Sequence, residues 1–241
     1  MNYINEFYET SSKRFWNPSD GPIGRDVQVL PLIEGDGTLL EYGFGSGSLL
    51  FQVAKNHKFS KVIGVDISDA VIEKAKSNIQ NINKDYCQKL KFIKPDQAGE
   101  KIPDIKSNSV DCVVSVATIE HVLNPYSVLD ELYRVTKTGG TLICSVPNFA
   151  YIKYRFQLLL GHLPITGTNE PIEKWRTAGW DGMHIHCFTK NAFNILLKDC
   201  GWQPLSFTGW GTKLPFILPL RKKYPSLLSG DKIKFSATVL I

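Results

Sequence analysis

From Thr38 onward the apolar positions fall into two alternating kinds of run. Short, nearly continuous runs at Thr38–Tyr42, Lys61–Val65, Lys89–Ile93, Val110–Val116 and Thr141–Val146 read as strands buried on both faces. Between them the apolar residues recur at helical spacing. Ser48–Asn56 is one such stretch, and a second runs from Asp69 to about Asn81 with Val71, Ile72, Ala75 and Ile79 on one face. A third, Pro125–Lys137, carries Val128, Leu129, Leu132 and Val135, and a fourth covers Lys190–Asp199. Ser68 is placed to cap the second helix. Gly139-Gly140 is expected to end the third, and Gly201 to stop the fourth. Trp202–Thr208 and Lys232–Ile241 read as two late strands.

Strand and helix in this order predict an α/β fold with a doubly wound parallel sheet and right-handed crossovers. Ligands of such sheets bind at the carboxyl ends of the strands, near the point where strand order reverses. At 241 residues the chain is expected to form one domain. Residues 1–30 carry aromatic side chains ahead of the first strand and read as an N-terminal lid. Residues 31–148 hold the core, 149–186 interrupt the sheet as a cap over the substrate side, and 187–241 complete it.

Composition changes this picture little. Lys and Arg number 28 against 23 Asp and Glu, and a net charge of +5 is too small for the broad basic face of a nucleic-acid binder. The five cysteines are scattered, without a Cys-x-x-Cys pair, which argues for a reducing compartment and against a disulfide framework or zinc site. Met1–Glu9 lacks the pattern of a signal peptide, and no apolar run is long enough to span a membrane. A cytoplasmic location is expected. Segment 213–225 pairs an apolar run with three cations, but its prolines disfavour a membrane-binding helix.

The chemistry concentrates at Leu39–Gly47, where an apolar strand enters the alternating glycines Gly43, Gly45 and Gly47. Nineteen residues after Gly47 the next strand ends in Asp66. Glycines admit positive φ and a close ligand, and an acid at a strand end suits two ribose hydroxyls. A cofactor containing a nucleoside is implied. Dinucleotide sites use G-x-G-x-x-G, whereas the spacing here is G-x-G-x-G, with Glu41 two residues before the first glycine. A carboxylate there would repel a pyrophosphate but tolerates an ammonium or sulfonium group, which disfavours an NAD-dependent oxidoreductase.

The run Glu41–Gly47, the strand ending at Asp66, the segment Val110–Val122 and the stretch Glu131–Leu142 together resemble class I S-adenosylmethionine-dependent methyltransferases. The Glu120-His121-Val122 triplet is similar to that of the small-molecule members. The resemblance implies a Rossmann-like, mostly parallel seven-stranded sheet with helices on both faces, an antiparallel last strand, a helical lid and a cap insertion. It implies S-adenosylmethionine as methyl donor and S-adenosylhomocysteine as product. Glu41 would organise the methionine side, with Gly43, Gly45 and Gly47 passing close to it. Asp66 would take the ribose hydroxyls and Ile67 the adenine face. Asp96 and Gln97 would read the adenine amino group, and Ser115 and Val116 would close the pocket.

Methyl transfer to a hydroxyl or a protonated amine needs a base, and histidine titrates nearest neutrality. Glu120, His121, His184 and His186 are the polar candidates near the expected site, and the three histidines are favoured. His184 and His186, one residue apart, would point to opposite sides of an extended segment, so a His-x-His metal pair is disfavoured and no metal is expected. Near them the sequence shows no acidic or cysteine partner at metal-ligand spacing. Tyr8, Trp16, Tyr151, Arg155 and Trp180 are candidate acceptor contacts. A small sugar-like, aromatic or lipid-linked O or N acceptor is expected, with no nucleic-acid partner and a monomeric or homodimeric chain. Asn148–Gly161 and the histidine segment are also similar to methyltransferase-like proteins of the methionine-biosynthesis W family. That resemblance implies an alternative, a binding or regulatory subunit acting through a partner enzyme.

Overall fold

The computed structural model describes residues 26–56, 58–80, 85–166, 184–210 and 232–239, with residue 210 and the last stretch described through the backbone alone. A helical turn, α1 (Asp26–Val29), precedes β1 (Gly37–Tyr42), α2 (Ser48–Asn56), β2 (Phe59–Val65), α3 (Asp69–Gln80) and β3 (Leu90–Ile93). Then come β4 (Val110–Val116), α4 (Pro125–Val135), β5 (Thr136–Pro147), α5 (Ile152–Leu159), α6 (Lys190–Asp199), β6 (Trp202–Trp210) and β7 (Lys232–Val239).

The strands lie in the order β3-β2-β1-β4-β5-β7-β6. β3, β2, β1, β4 and β5 are mutually parallel, as the alternation of strand and helix requires. β7 pairs antiparallel with both β5 and β6. The chain steps outward from β1 to β3 and then crosses back to β4. The reversal therefore falls between β1 and β4, and the crevice at their carboxyl ends is where such sheets take ligands.

Side chains alternate across β1. Leu39 packs with Leu49, Leu50, Val53, Val71, Ile72 and Ala75 of α2 and α3. Leu40 faces the opposite layer, with Val128, Leu129 and Leu132 of α4 and Phe193 and Leu197 of α6. Both faces of the sheet are thus covered, which is why its strands read as unbroken apolar runs. Trp202 is buried across this second layer and donates its indole N–H to the Leu129 carbonyl at 3.2 Å.

Three helix starts carry side-chain caps, of which the sequence reading marked Ser68. Ser68 Oγ accepts from Val71 N at 3.3 Å, Asn124 Oδ1 from Tyr126 N at 3.1 Å, and Thr189 Oγ1 from Ala192 N at 3.2 Å. Each such cap contributes about 1 kcal/mol. Gly201 follows α6 with φ 82°, the left-handed geometry that ends a helix.

Two features depart most from the sequence reading. α4 stops at Val135, because Thr136 turns extended (ψ 138°) and bonds its hydroxyl back to the Leu132 carbonyl at 2.6 Å. β5 begins at once, pairing Thr136 with Val110, so Gly139-Gly140 sits within that strand's span, where the register shifts, and does not end the helix. The second difference is α5, eight residues of helix inside the 149–186 insertion that periodicity alone did not mark. Glu131 and Arg134 of α4 fasten the loop before β4. Glu131 accepts from Ile102 N at 2.7 Å, and Arg134 donates to the Ile105 carbonyl at 2.9 Å and to Glu131 at 2.7 Å.

Candidate functional site

β1 delivers Glu41 buried, at the height of Gly64 on β2 and Val114 on β4. The chain then turns through Gly43 (φ 74°), Gly45 (φ 49°) and Gly47 (φ 79°). The three glycines serve different ends. A Cβ on Gly43 would collide with the Thr118 side chain, and one on Gly47 would press on the Phe51 ring at 3.2 Å. A Cβ on Gly45 would meet nothing within 4 Å, so the open side of the loop lies at this residue. Gly43 N donates to the Val65 carbonyl at 2.7 Å, tying the loop to the end of β2.

Asp66 stands at that same strand end. One carboxylate oxygen accepts from Gly45 N and the other from Ser68 N, each at 3.0 Å. Burial pushes its carboxyl above the usual carboxylate range, while these N–H groups oppose the shift. Each oxygen keeps a second lone-pair direction, the geometry two vicinal hydroxyls need. The residues present therefore fit a nucleoside cofactor: an open backbone turn, a fixed carboxylate beside it, and a buried acid behind.

The loop after β3 is held partly by residues the sequence reading passed over. The Tyr42 hydroxyl donates to the Gly99 carbonyl, and half-buried Ile67 lies close to the same glycine. Asp96 bends this loop on itself, its Oδ1 accepting from Glu100 N at 2.7 Å and Lys101 N at 3.1 Å, while Gln97 is exposed. At the end of β4, Ser115 is fully buried and Val116 nearly so. The rim passes to half-buried Ala117 and Thr118. Ala117 holds φ 52°, rare for a residue with a Cβ, and donates its N–H to the Ser145 carbonyl at 2.9 Å. Backbone held in this way concentrates at working sites.

A short 3-10 turn, Ile119–His121, follows. Its Glu120 is completely buried, and its carbonyl accepts from Ile185 N at 2.9 Å and His186 N at 3.1 Å. This clamp draws the 184–188 segment onto the ends of β4 and β5. His184 Nε2 then stands 4.0 Å from Glu120 Oε1, and the His121 and His184 rings lie 4.8 Å apart between centroids. Thr166 Oγ1 lies at hydrogen-bond distance from His184 Nδ1. His186 points elsewhere, its Nε2–H donating to the Val122 carbonyl at 2.9 Å. The sequence shows no acidic partner at metal-ligand spacing beside His184 and His186, but the fold supplies one in Glu120. Glu120 and His184 are 64 positions apart, and only the backbone clamp brings them together.

Among the candidate acceptor contacts, Tyr151 is buried edge-on against Tyr154 at 5.6 Å. Arg155 is exposed and donates Nε–H to the Ala150 carbonyl at 2.9 Å, just before its own helix. Tyr8, Trp16 and Trp180, and most of the lid and cap, lie outside the described residues. No helix among the described residues is long and apolar enough to cross a membrane.

Residues 40–144 match the family described as "Methyltransferase domain". The chain is 32% identical over 124 residues to a mitochondrial ubiquinone biosynthesis O-methyltransferase of Candida albicans, covering 52% of this chain and 36% of that one. It is 26% identical over 171 residues to a tRNA 5-carboxymethoxyuridine methyltransferase of Escherichia coli O157:H7, covering 71% and 61%. The chain thus spans between about a third and three fifths of the curated relatives it matches. Its fold matches a Haloferax volcanii putative methyltransferase, solved with the Trm112 methyltransferase activator. That match has a TM-score of 0.60 and 17% identity, and covers 99% of this chain and 96% of that one. Further solved structures of this fold hold S-adenosylmethionine or S-adenosylhomocysteine. The match to the methyltransferase-domain family runs through both the glycine turn open at Gly45 and the fixed Asp66 beside it, so residues 40–144 carry a methyltransferase domain of the S-adenosylmethionine-dependent kind.

Proposed function

We propose that the protein methylates an oxygen or nitrogen of a small-molecule acceptor, sugar-like, aromatic or lipid-linked, held beside Glu120, His121 and His184. One observation carries this reading. Thr118 packs on Gly43 of the cofactor turn, and His121 N donates to the Thr118 carbonyl at 2.9 Å. The imidazoles therefore sit one short turn from the cofactor loop, where an acceptor must lie. S-adenosylmethionine, when bound, supplies the activated methyl group. Gly43, Gly45 and Gly47 give it backbone approach, Glu41 organises the methionine side, and Asp66, Ile67, Asp96 and Gln97 hold the nucleoside. Val116, with Ser115 behind it, closes the pocket floor. His121 and His184 are the groups that take up an acceptor proton. His186, engaged with Val122, positions the segment.

The same reading takes residues 1–241 as one domain, with a seven-stranded sheet closed by an antiparallel last strand. Residues 1–30 form the lid and 149–186 the cap, and Tyr8, Trp16, Tyr151, Arg155 and Trp180 are acceptor contacts. It places a monomer or homodimer in the cytoplasm with no nucleic-acid partner, supported by the small net charge of +5. The name of the Escherichia coli relative makes tRNA the competing acceptor. Labelled methyl groups partitioned among small-molecule, RNA and protein fractions of an extract decide between them. Label in the small-molecule fraction is expected, and label confined to RNA and lost on ribonuclease treatment overturns the reading.

A second reading is favoured by the Haloferax volcanii fold match, which was solved with an activator protein. In it this chain binds the cofactor but turns over only with a partner subunit. Methyl transfer by the purified chain alone would exclude it.

A further inference from the structure

We infer that Glu120, His121 and His184 form a binding site for a divalent cation of the zinc type. The inference rests on the reading above that these residues face the acceptor, and it changes what the two imidazoles do there: with the ion bound they ligate it, and an acceptor hydroxyl on the open position would lose its proton to solvent. Each offers one ligand atom, and all three atoms lie within 4.8 Å of one another. Tetrahedral ligands on such an ion stand about 3.4 Å apart, given metal–ligand bonds of about 2.0–2.2 Å. The gap of up to about 1.4 Å is what side-chain rotation on binding has to close.

The spacing between Glu120 and His184 separates this arrangement from a plain hydrogen-bonded dyad. At 4.0 Å, Oε1 and Nε2 are too far apart for a direct hydrogen bond and close enough to share an ion. The second side of His184 agrees. The tautomer in which Nδ1–H donates to Thr166 Oγ1 is the one that leaves Nε2 a lone pair toward Glu120. Metal-binding imidazoles are held in this way, by an oxygen on the far nitrogen. Thr166 is itself buried, which keeps that contact out of water.

Burial supplies a third, independent observation. Glu120 is 0% exposed and the His184 side chain 7% exposed. A buried carboxylate next to two imidazoles sits in surroundings where an ion shared among the three would hold it. The backbone has also been arranged to bring them together, because the Glu120 carbonyl holds both Ile185 and His186.

Two imidazole nitrogens and one carboxylate oxygen suit zinc, iron, cobalt or manganese better than magnesium or calcium, which favour oxygen ligands throughout. Three protein ligands leave at least one position open, the pattern of sites that bind a substrate group. The class of acceptor is thereby narrowed to molecules offering a hydroxyl or carboxylate oxygen to the ion. A bound hydroxyl would ionise nearer neutrality than a free one.

The test uses the full chain, stripped of metal with a chelator and titrated with Co2+ followed by visible absorption, and with Zn2+ by calorimetry. S-adenosylhomocysteine binding is measured on the same samples. One ion per chain is expected, with a Co2+ spectrum distinct from the aqueous ion. Glu120→Gln and His184→Ala should each weaken binding by more than about tenfold, and Thr166→Ala by about tenfold. His162→Ala, which removes an exposed imidazole outside the cluster, should leave it unchanged. No uptake by the wild-type chain, or uptake indifferent to Glu120→Gln and His184→Ala, overturns the site. If those two variants misfold, the Thr166→Ala result decides, and unaltered affinity there counts against the site. Loss of S-adenosylhomocysteine binding with metal uptake intact would instead overturn the cofactor reading and leave the metal site standing.

Discussion

Substituting Gly45 by alanine separates the cofactor space from the packing of the loop. At this residue the structure leaves a Cβ with no neighbour within 4 Å, so the only folding cost is the backbone at φ 49°. A residue with a Cβ in that conformation costs about 1–2 kcal/mol, of which about 0.4–1 kcal/mol is offset by the stiffer unfolded chain. The net loss of roughly 1 kcal/mol should lower Tm by only about 2–4 °C in a chain of this size. The methyl group, however, enters the open side of the loop. If the cofactor lies there, its affinity should fall by at least about tenfold, equivalent to about 1.4 kcal/mol. Gly43→Ala should behave in the opposite proportion, because its Cβ meets Thr118 and the clash is internal. Overpacking of this kind adds about 1–3 kcal/mol of folding cost, and Thr118→Ala should return part of it. Calorimetry with S-adenosylhomocysteine beside thermal unfolding provides both readings. A Gly45→Ala protein that folds and binds like wild type would refute the placement of the cofactor against this turn.

Three further outcomes follow from the same geometry. Asp66→Asn should cost about 1.5–3 kcal/mol of cofactor affinity, the usual size for hydrogen bonds to a charged group. Because burial holds the Asp66 carboxyl above its usual range, wild-type affinity should decline on acidification before an ordinary carboxylate titrates, and the variant should lose that slope. A pH-independent wild-type affinity would contradict this. Glu131 is affected first by burial, which opposes ionisation, but bonds from Arg134 and Ile102 N and nearby cations bring its carboxyl below the usual range. Its stabilising contribution is therefore present above the unfolded-state value and lost as pH falls through the lowered folded one. Glu131→Gln should cost about 1–3 kcal/mol at neutral pH and nothing in strong acid, measured by urea unfolding. An equal cost at both pH values would break the account. Among the five cysteines only Cys187 is exposed, while burial pushes Cys112 and Cys200 up to about 12 and Cys144 higher still. A thiol reagent at mildly alkaline pH should therefore label one site rapidly, and fast labelling of two or more would count against this packing.

The parallel core was legible because strands buried on both faces and amphipathic helices leave different periodicities. Leu39, Leu40, Val113 and Leu142 lie in unbroken apolar runs, and that pattern alone assigns them to the core. The cofactor cradle was legible for a related reason. Gly43, Gly45, Gly47 and Asp66 are local features whose spacing follows from a strand–turn–helix unit. Thr118 and Tyr42 were not, since their roles depend on contacts to Gly43 and Gly99 that only the sheet order creates. The end of α4 was misjudged because Gly139-Gly140 reads as a helix stop, whereas Thr136 had already turned extended to pair with Val110. The Glu120–His184 approach was hidden most deeply. It arises from two backbone hydrogen bonds across the insertion, and no pattern of residue types encodes a carbonyl.

The central claim is that this chain holds S-adenosylmethionine between the Gly43–Gly47 turn and Asp66. Calorimetric titration of the pure wild-type chain, beside Asp66→Ala, tests it most directly. Micromolar binding of S-adenosylmethionine or S-adenosylhomocysteine, strongly weakened by Asp66→Ala, is the predicted result. Heat from NAD(H) with none from S-adenosylmethionine, or binding that survives Asp66→Ala unchanged, would contradict it.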